Sequence, residues 1–139
     1  MPMRWDESMM GGQSGKVAVV TGSNTGIGYY MARALASKGA SVIMACRDPT
    51  KGEVARDRIL EEFPGSEVSV SVLDLADLSS IEEFADGFPS EGGLDILINN
   101  AGVMIPPKSR TKDGFELQFG TNHLGHFALT GRLLPMLEK

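Results

Sequence analysis

Eight consecutive residues, Thr21-Gly22-Ser23-Asn24-Thr25-Gly26-Ile27-Gly28, limit what this chain can fold into more than any other stretch. They follow Val17–Thr21 (VAVVT), a β-branched run of the kind buried in parallel sheets, and they open a helical pattern over residues 26–38. A strand that turns through glycines into a helix presents free N–H groups and a positive dipole end, which together receive phosphate. Side chains would block that approach. Gly22 suits the tight turn, Gly26 the approach of backbone to a pyrophosphate, and Gly28 the packing of helix on strand. Ser23, Asn24 and Thr25 add hydroxyl and amide groups for phosphate or ribose, with Ile27 in the same loop. The spacing G-x-x-x-G-x-G differs from the general dinucleotide fingerprint, and the lack of a following Gly-Lys-Ser/Thr excludes a P-loop.

Beyond the loop, strand-like and helix-like segments alternate. Ser41–Cys46 (SVIMAC) reads as a second buried strand, residues 67–74 (EVSVSVLD) as a third and residues 94–99 (LDILIN) as a fourth. Between them lie three helical patterns. The first turns Ile27, Met31, Ala34 and Leu35 inward and stops at Gly39. The second, residues 50–63, turns Ala55, Ile59, Leu60 and Phe63 inward. The third, residues 79–88, carries Ile81, Phe84, Ala85 and Phe88 and stops at Pro89. This rhythm predicts an α/β fold, a Rossmann-type open parallel sheet with helices on both faces. The sheet is incomplete, with about four strands.

Residues 105–114 form a Pro-rich charged loop of the kind that covers a ligand site. Residues 115–139 read as one long helix, broken early at Gly120 and kinked or ended near Pro135. Its expected apolar stripe is Phe119, His123, Phe127, Leu133, Leu134 and Leu137. Residues 1–15 show no periodicity and are expected to be a flexible lead-in to a domain spanning residues 16–139.

Composition narrows the partners. Of 139 residues 42% are hydrophobic, and the net charge of −5 gives no basic surface for nucleic acid or anionic membrane. Seventeen glycines exceed the usual share of roughly 7%, in keeping with many turns and close approaches. The single cysteine, Cys46, excludes an internal disulfide and fits a reducing compartment. No segment reaches the ~20 apolar residues of a membrane span, and the first fifteen residues hold no signal-peptide core, so a cytoplasmic location is expected.

The loop as T-G-x-x-x-G-x-G, together with Asn99-Asn100-Ala101-Gly102 after the fourth strand, resembles the short-chain dehydrogenase/reductase family. The wording of Ala45-Cys46-Arg47-Asp48, NNAGVM (99–104) and GTNHLGHF (120–127) is similar to its retinol-dehydrogenase-like branch. The resemblance implies a nicotinamide dinucleotide cofactor. Asp74, with the Leu75 backbone beside it, would meet the adenine; alternatively Asp74 is a cap for the next helix. Asn99, Ala101 and Gly102 would line the ribose and nicotinamide side, with Asn100 tying strands together. After the second strand Arg47 can grip a 2′-phosphate, while Asp48 is the competing signal for an unphosphorylated ribose. The reading favours NADP over NAD.

In that family a Tyr-x-x-x-Lys pair performs acid/base chemistry on an alcohol or carbonyl. This sequence contains Tyr29 and Tyr30 alone, with Arg33 and Ala34 four residues on, so the pair does not occur in it. Both tyrosines are expected to pack. Asn122 is the one member of the family's catalytic set present, where it positions the Lys. His123 and His126 flank it as expected packing residues, and no third ligand suggests a metal. The chain is therefore expected to be the cofactor-binding part of an oxidoreductase and inactive by itself. Its alternative is a catalytically inactive nucleotide-binding or interaction module. Open at the fourth strand and along the last helix, it is expected to fold marginally and to self-associate there. A methyltransferase-type Rossmann enzyme is disfavoured by Asn99-Asn100-Ala101-Gly102.

Overall fold

A computed structural model of the protein describes residues 1–88 and 92–139. The strands are β1 (Val17–Thr21), β2 (Ser41–Cys46), β3 (Val68–Val72) and β4 (Ile96–Ile98). They are joined by helices α1 (Gly26–Ser37), α2 (Pro49–Glu62) and α3 (Leu78–Asp86). After β4 come a short turn α4 (Leu117–Phe119), a π-helical stretch Gly120–Gly125 and helix α5 (His126–Leu137). The stop expected at Pro89 lies outside the described residues.

All pairings are parallel, in the order β3-β2-β1-β4. The chain steps from β1 outward to β3, then returns across the sheet to place β4 on the far side of β1. Right-handed crossovers put the helices of opposite steps on opposite faces. The strands show this by alternation. Val42, Met44 and Cys46 pack with Tyr29, Ala32, Leu35, Ala55 and Ile59 of α1 and α2. Val19 and Ala45 pack with Ile81 and Phe84 of α3 and Leu129 and Leu133 of α5. The reversal beside β1 leaves a crevice at the carboxyl ends of the strands, where open α/β sheets bind ligands.

Local chemistry explains the helix starts. Asp48 caps α2, accepting from Thr50 N–H at 3.0 Å and Lys51 N–H at 3.2 Å, with Pro49 in the first turn. Asp77 caps α3 through Ser79 N–H at 2.9 Å. The capping alternative for Asp74 therefore does not hold.

The structure corrects several expectations. Helix α1 buries Gly28, Tyr29, Ala32, Leu35 and Ala36, while Ile27 is 71% exposed and Met31 also faces solvent. The close seat of Gly28 on the loop sets the helix phase, which hydrophobicity alone misassigned. Tyr29 packs beneath Arg58, 4.7 Å from its ring, but Tyr30 is exposed and meets Tyr29 edge to face. The last helix does not present one stripe: Leu129, Leu133 and His126 face the sheet, whereas Phe119, Phe127 and Leu134 are exposed. The break near Gly120 is a π-helical turn. Part of the segment before β1 touches the domain. Met10 packs on the core, Gln13 N–H donates to the Lys38 carbonyl at 2.7 Å, and Glu7 pairs with Arg33.

Candidate active site

A cleft of about 450 Å³ opens at the carboxyl ends of the strands. Gly22, Asn24 and Thr25 form its floor, Ala45, Arg47 and residues 73–76 one wall, and residues 100–103 with Leu117 and Thr121 the other. Gly22, Asn24, Thr25, Arg47, Asp74, Leu75, Ala101 and Gly102, expected from the sequence, are thus brought together.

The glycine loop is joined to the wall after β4. Gly22 has φ +62°, and a Cβ there would lie 2.8 Å from Ala101 Cα, so glycine is required twice over. Gly28 fits beneath the Gly22 carbonyl and the Asn100 side chain, which leaves no room for a methyl group. Gly26 also has a positive φ, but open space lies above it, as a ligand contacting backbone needs. The Asn100 amide donates to the carbonyls of Thr21 (3.0 Å) and Gly22 (3.2 Å), fastening β1 to β4.

Other expected residues take different parts. Ser23 is fully buried, its hydroxyl donating to the Val20 carbonyl at 2.9 Å, with Cys46 Sγ 3.8 Å away. That side chain is turned away from any phosphate. Burial pushes the Cys46 thiol up from its ordinary value, so it is a protonated core group. Ile27 points to solvent. Asn99 is exposed, and its amide donates to Thr130 Oγ1 at 3.0 Å rather than into the cleft. Asp74 accepts the Ala76 N–H through Oδ1 at 2.9 Å, a local turn that aims the strand end into the cleft.

Asn122, expected as a catalytic residue, sits in the π-helical stretch with its side chain engaged on both sides by Val103. Nδ2 donates to the Val103 carbonyl and Oδ1 accepts its N–H, each at 2.8 Å. It works on the loop after β4 as a strand partner would.

His126 was missed as a participant. Its backbone N–H bonds the His123 carbonyl three residues back, a tight turn that closes the π-helical stretch, and its ring Nδ1 lies 3.0 Å from the Asn122 carbonyl. A carbonyl only accepts, so Nδ1 carries the proton and Nε2 accepts from Thr21 Oγ1 at 2.8 Å. Burial holds the imidazole pKa below its ordinary value, opposed by the bond to the Asn122 carbonyl. Thr21 Oγ1 in turn accepts the N–H groups of Asn100 and Ala101, each at 3.0 Å. The sequence signal was the four-residue spacing of Asn122 and His126, which puts both on one helical face.

Lys51 was missed as well. A recess of about 400 Å³, lined by Thr50, Lys51 and Arg58, continues from the cleft through Asn24 and Thr25. Its signal was a cation one helical turn beyond Arg47.

Two features fit a phosphate-bearing dinucleotide. Arg47 forms no ion pair among the described residues and stands at the mouth of the cleft. Thr121 Oγ1 on the opposite wall is buried without a hydrogen-bond partner among the described residues, which a polar ligand would remedy.

The family model for short chain dehydrogenases matches residues 16–139. The chain belongs to the short-chain dehydrogenase family. It is similar to human retinol dehydrogenase 12, with 57% identity over 125 residues, covering 89% of this chain and 40% of that protein. A solved uncharacterised protein from Mycobacterium paratuberculosis superimposes with TM-score 0.86 at 50% identity, over 95% of this chain and 46% of that one. A metagenomic short-chain oxidoreductase solved with NADP gives TM-score 0.77 at 32% identity, over 89% and 57% respectively. The chain therefore spans well under half the length of the curated relatives it matches.

Proposed function

We propose that this short-chain dehydrogenase chain binds NADP(H) in the strand-end cleft, as the cofactor half of an oxidoreductase acting on a lipophilic alcohol or carbonyl. The observation that carries the cofactor choice is the division of labour after β2. Asp48, the acid that would hold an unphosphorylated ribose, turns its carboxylate to the N–H groups of α2. Arg47 is left free beside the cleft, with Lys51 in the adjoining recess, to grip a 2′-phosphate. Asn24 and Thr25 would reach the phosphates and Asp74 the adenine. The wall of residues 100–103 would face the nicotinamide.

NADP(H), when bound, supplies or accepts the hydride. These residues bind and orient it, and no Tyr-x-x-x-Lys lies among them to move the substrate proton. The lipophilic substrate class rests on the likeness to human retinol dehydrogenase 12. Titrating NADPH and NADH against the chain should give tighter NADPH binding, and equal affinities would sink the assignment. The second reading is a nucleotide-binding module without turnover. Any alcohol-dependent NADPH formation by the 139-residue chain would overturn both it and the claim of inactivity. Self-association would run through β4 and the exposed Phe119, Phe127 and Leu134, and sedimentation should show it.

A further inference from the structure

The polar side chains of Asn122, His126 and Thr130 recur at every fourth residue through the π-helical stretch and α5; Asn122 and Thr130 bond the loop after β4 directly, and His126 bears on it through Thr21 of β1. Asn122 holds Val103 by two bonds. His126 holds Thr21, whose hydroxyl gathers the N–H groups of Asn100 and Ala101. Thr130 Oγ1 receives the Asn99 amide. Residues 99–103 are thus tied at successive points to one helical face that does not itself bear on the cleft at positions 126 and 130.

We propose that His126 and Thr130 are positioning residues, which set the nicotinamide-side wall of the cleft by fixing residues 99–101 from behind. The inference rests on the reading of the cleft as an NADP(H) site. The geometry makes the part of His126 specific. Thr21 Oγ1 already accepts two backbone N–H groups, so its own proton needs an acceptor. His126 Nε2 at 2.8 Å supplies one, whereas the Ile98 carbonyl at 3.4 Å is a poor substitute. With that acceptor gone, the hydroxyl rotates toward Ile98 and its lone pairs leave the two N–H groups. The wall then loses its register where Ala101 meets Gly22. Thr130 acts one turn further along, on Asn99 alone, and is only half-buried, so its removal leaves the core intact.

The test compares two ligands that share the adenosine end. NADPH spans the whole cleft; adenosine 2′,5′-bisphosphate lacks the nicotinamide half. His126→Leu and Thr130→Val should each weaken NADPH binding, by about tenfold for one lost buried hydrogen bond in His126→Leu and less in Thr130→Val. Affinity for the bisphosphate should stay unchanged. His126→Gln, which keeps an acceptor near the Nε2 position, should retain NADPH binding where His126→Asn, too short to reach Thr21, does not. Equal weakening for both ligands marks a general loss of structure and overturns the proposal, as does wild-type NADPH affinity in both His126→Leu and Thr130→Val. Should His126→Leu fail to fold, Thr130→Val carries the same comparison alone. A wild-type chain that binds the bisphosphate but gains nothing from the nicotinamide half overturns the positioning claim and leaves the 2′-phosphate assignment standing. Binding of neither ligand overturns both.

Discussion

At the end of β2 the cleft is bounded by Arg47, an exposed cation without an ion-pair partner among the described residues. At the end of β4 it is bounded by a loop whose polar groups are tied to Thr21, Asn122 and Thr130. The first wall carries charge in water, which recognises an anion at range but fixes no geometry and is screened by salt. The second is neutral and tied by hydrogen bonds at Asn99, Asn100, Ala101 and Val103, which hold backbone at a set position. A dinucleotide needs both, because its 2′-phosphate marks identity while its nicotinamide must be placed. In the proposed NADP(H) site, selection and placement would thus fall to different physical interactions at opposite ends of one cleft.

The two walls meet at Gly22, and the largest effect is expected there. In Gly22→Val a β-branched residue would be forced to φ +62° with its Cβ 2.8 Å from Ala101. The left-handed conformation costs roughly 1–2 kcal/mol and the overpacking about 1–3 kcal/mol more. Denaturant unfolding should show a loss of that combined size, and NADPH binding should vanish. Unchanged stability would mean that the walls are not coupled at this point.

Next in size is Arg47→Ala, which should separate the two ends. A charge-assisted hydrogen bond is worth about 1.5–3 kcal/mol, so NADPH affinity should fall roughly ten- to a hundredfold. Isothermal titration should show NADH binding unchanged, and the wild-type preference for NADPH should shrink as salt is raised. A parallel loss for NADH would mean that Arg47 shapes the cleft instead of selecting the phosphate. Asp48→Ala is expected to be milder, about 1 kcal/mol of stability from the lost cap, with NADH affinity unaffected. If NADH binding instead falls away, Asp48 is the ribose acid and the division of labour at this wall is wrong.

The charged wall was the more legible in the sequence. Its elements are local: a strand, glycines, a strand-end cation and helix caps lie close together in the chain, and the fold class followed from the same short-range periodicities. Gly22, Asn24, Thr25 and Arg47 could be named because the residue types alone state the chemistry. The neutral wall is built from residues about 20 to 105 apart in sequence, as with Asn122 and Val103 or Thr21 and His126, which no local pattern pairs. Ser23 misled because a hydroxyl in a phosphate loop reads as a ligand, whereas the carbonyl of Val20 three residues back satisfies it first. The phase of α1 misled because Gly28, with no side chain, decides which face packs, and hydrophobicity has no means of registering it.

The smallest effect sharpens the comparison through proton linkage. Burial lowers the pKa of His126 in the folded chain below its unfolded value of about 6.5. Between the two values the unfolded chain binds more protons than the folded one, so stability rises with pH across that window. His126 therefore withdraws no stability above about pH 6.5, and progressively more as pH falls toward the folded pKa, with a slope of at most about 1.4 kcal/mol per pH unit. Carboxylates held below their ordinary values, such as Asp77 beside Lys112, weaken the fold only at more acidic pH and lie outside this window. Unfolding midpoints of the wild type and His126→Gln between pH 8 and 5 isolate the contribution, because Gln cannot titrate. The wild type should lose ground relative to the variant as pH falls below 6.5. Protonation puts a hydrogen on Nε2, the atom that must accept from Thr21, so NADPH binding should weaken over the same window while adenosine 2′,5′-bisphosphate binding does not. A difference that stays flat with pH would show that His126 has the same pKa folded and unfolded, so that the fold does not keep a proton off Nε2. The neutral wall would then need another acceptor for the Thr21 hydroxyl.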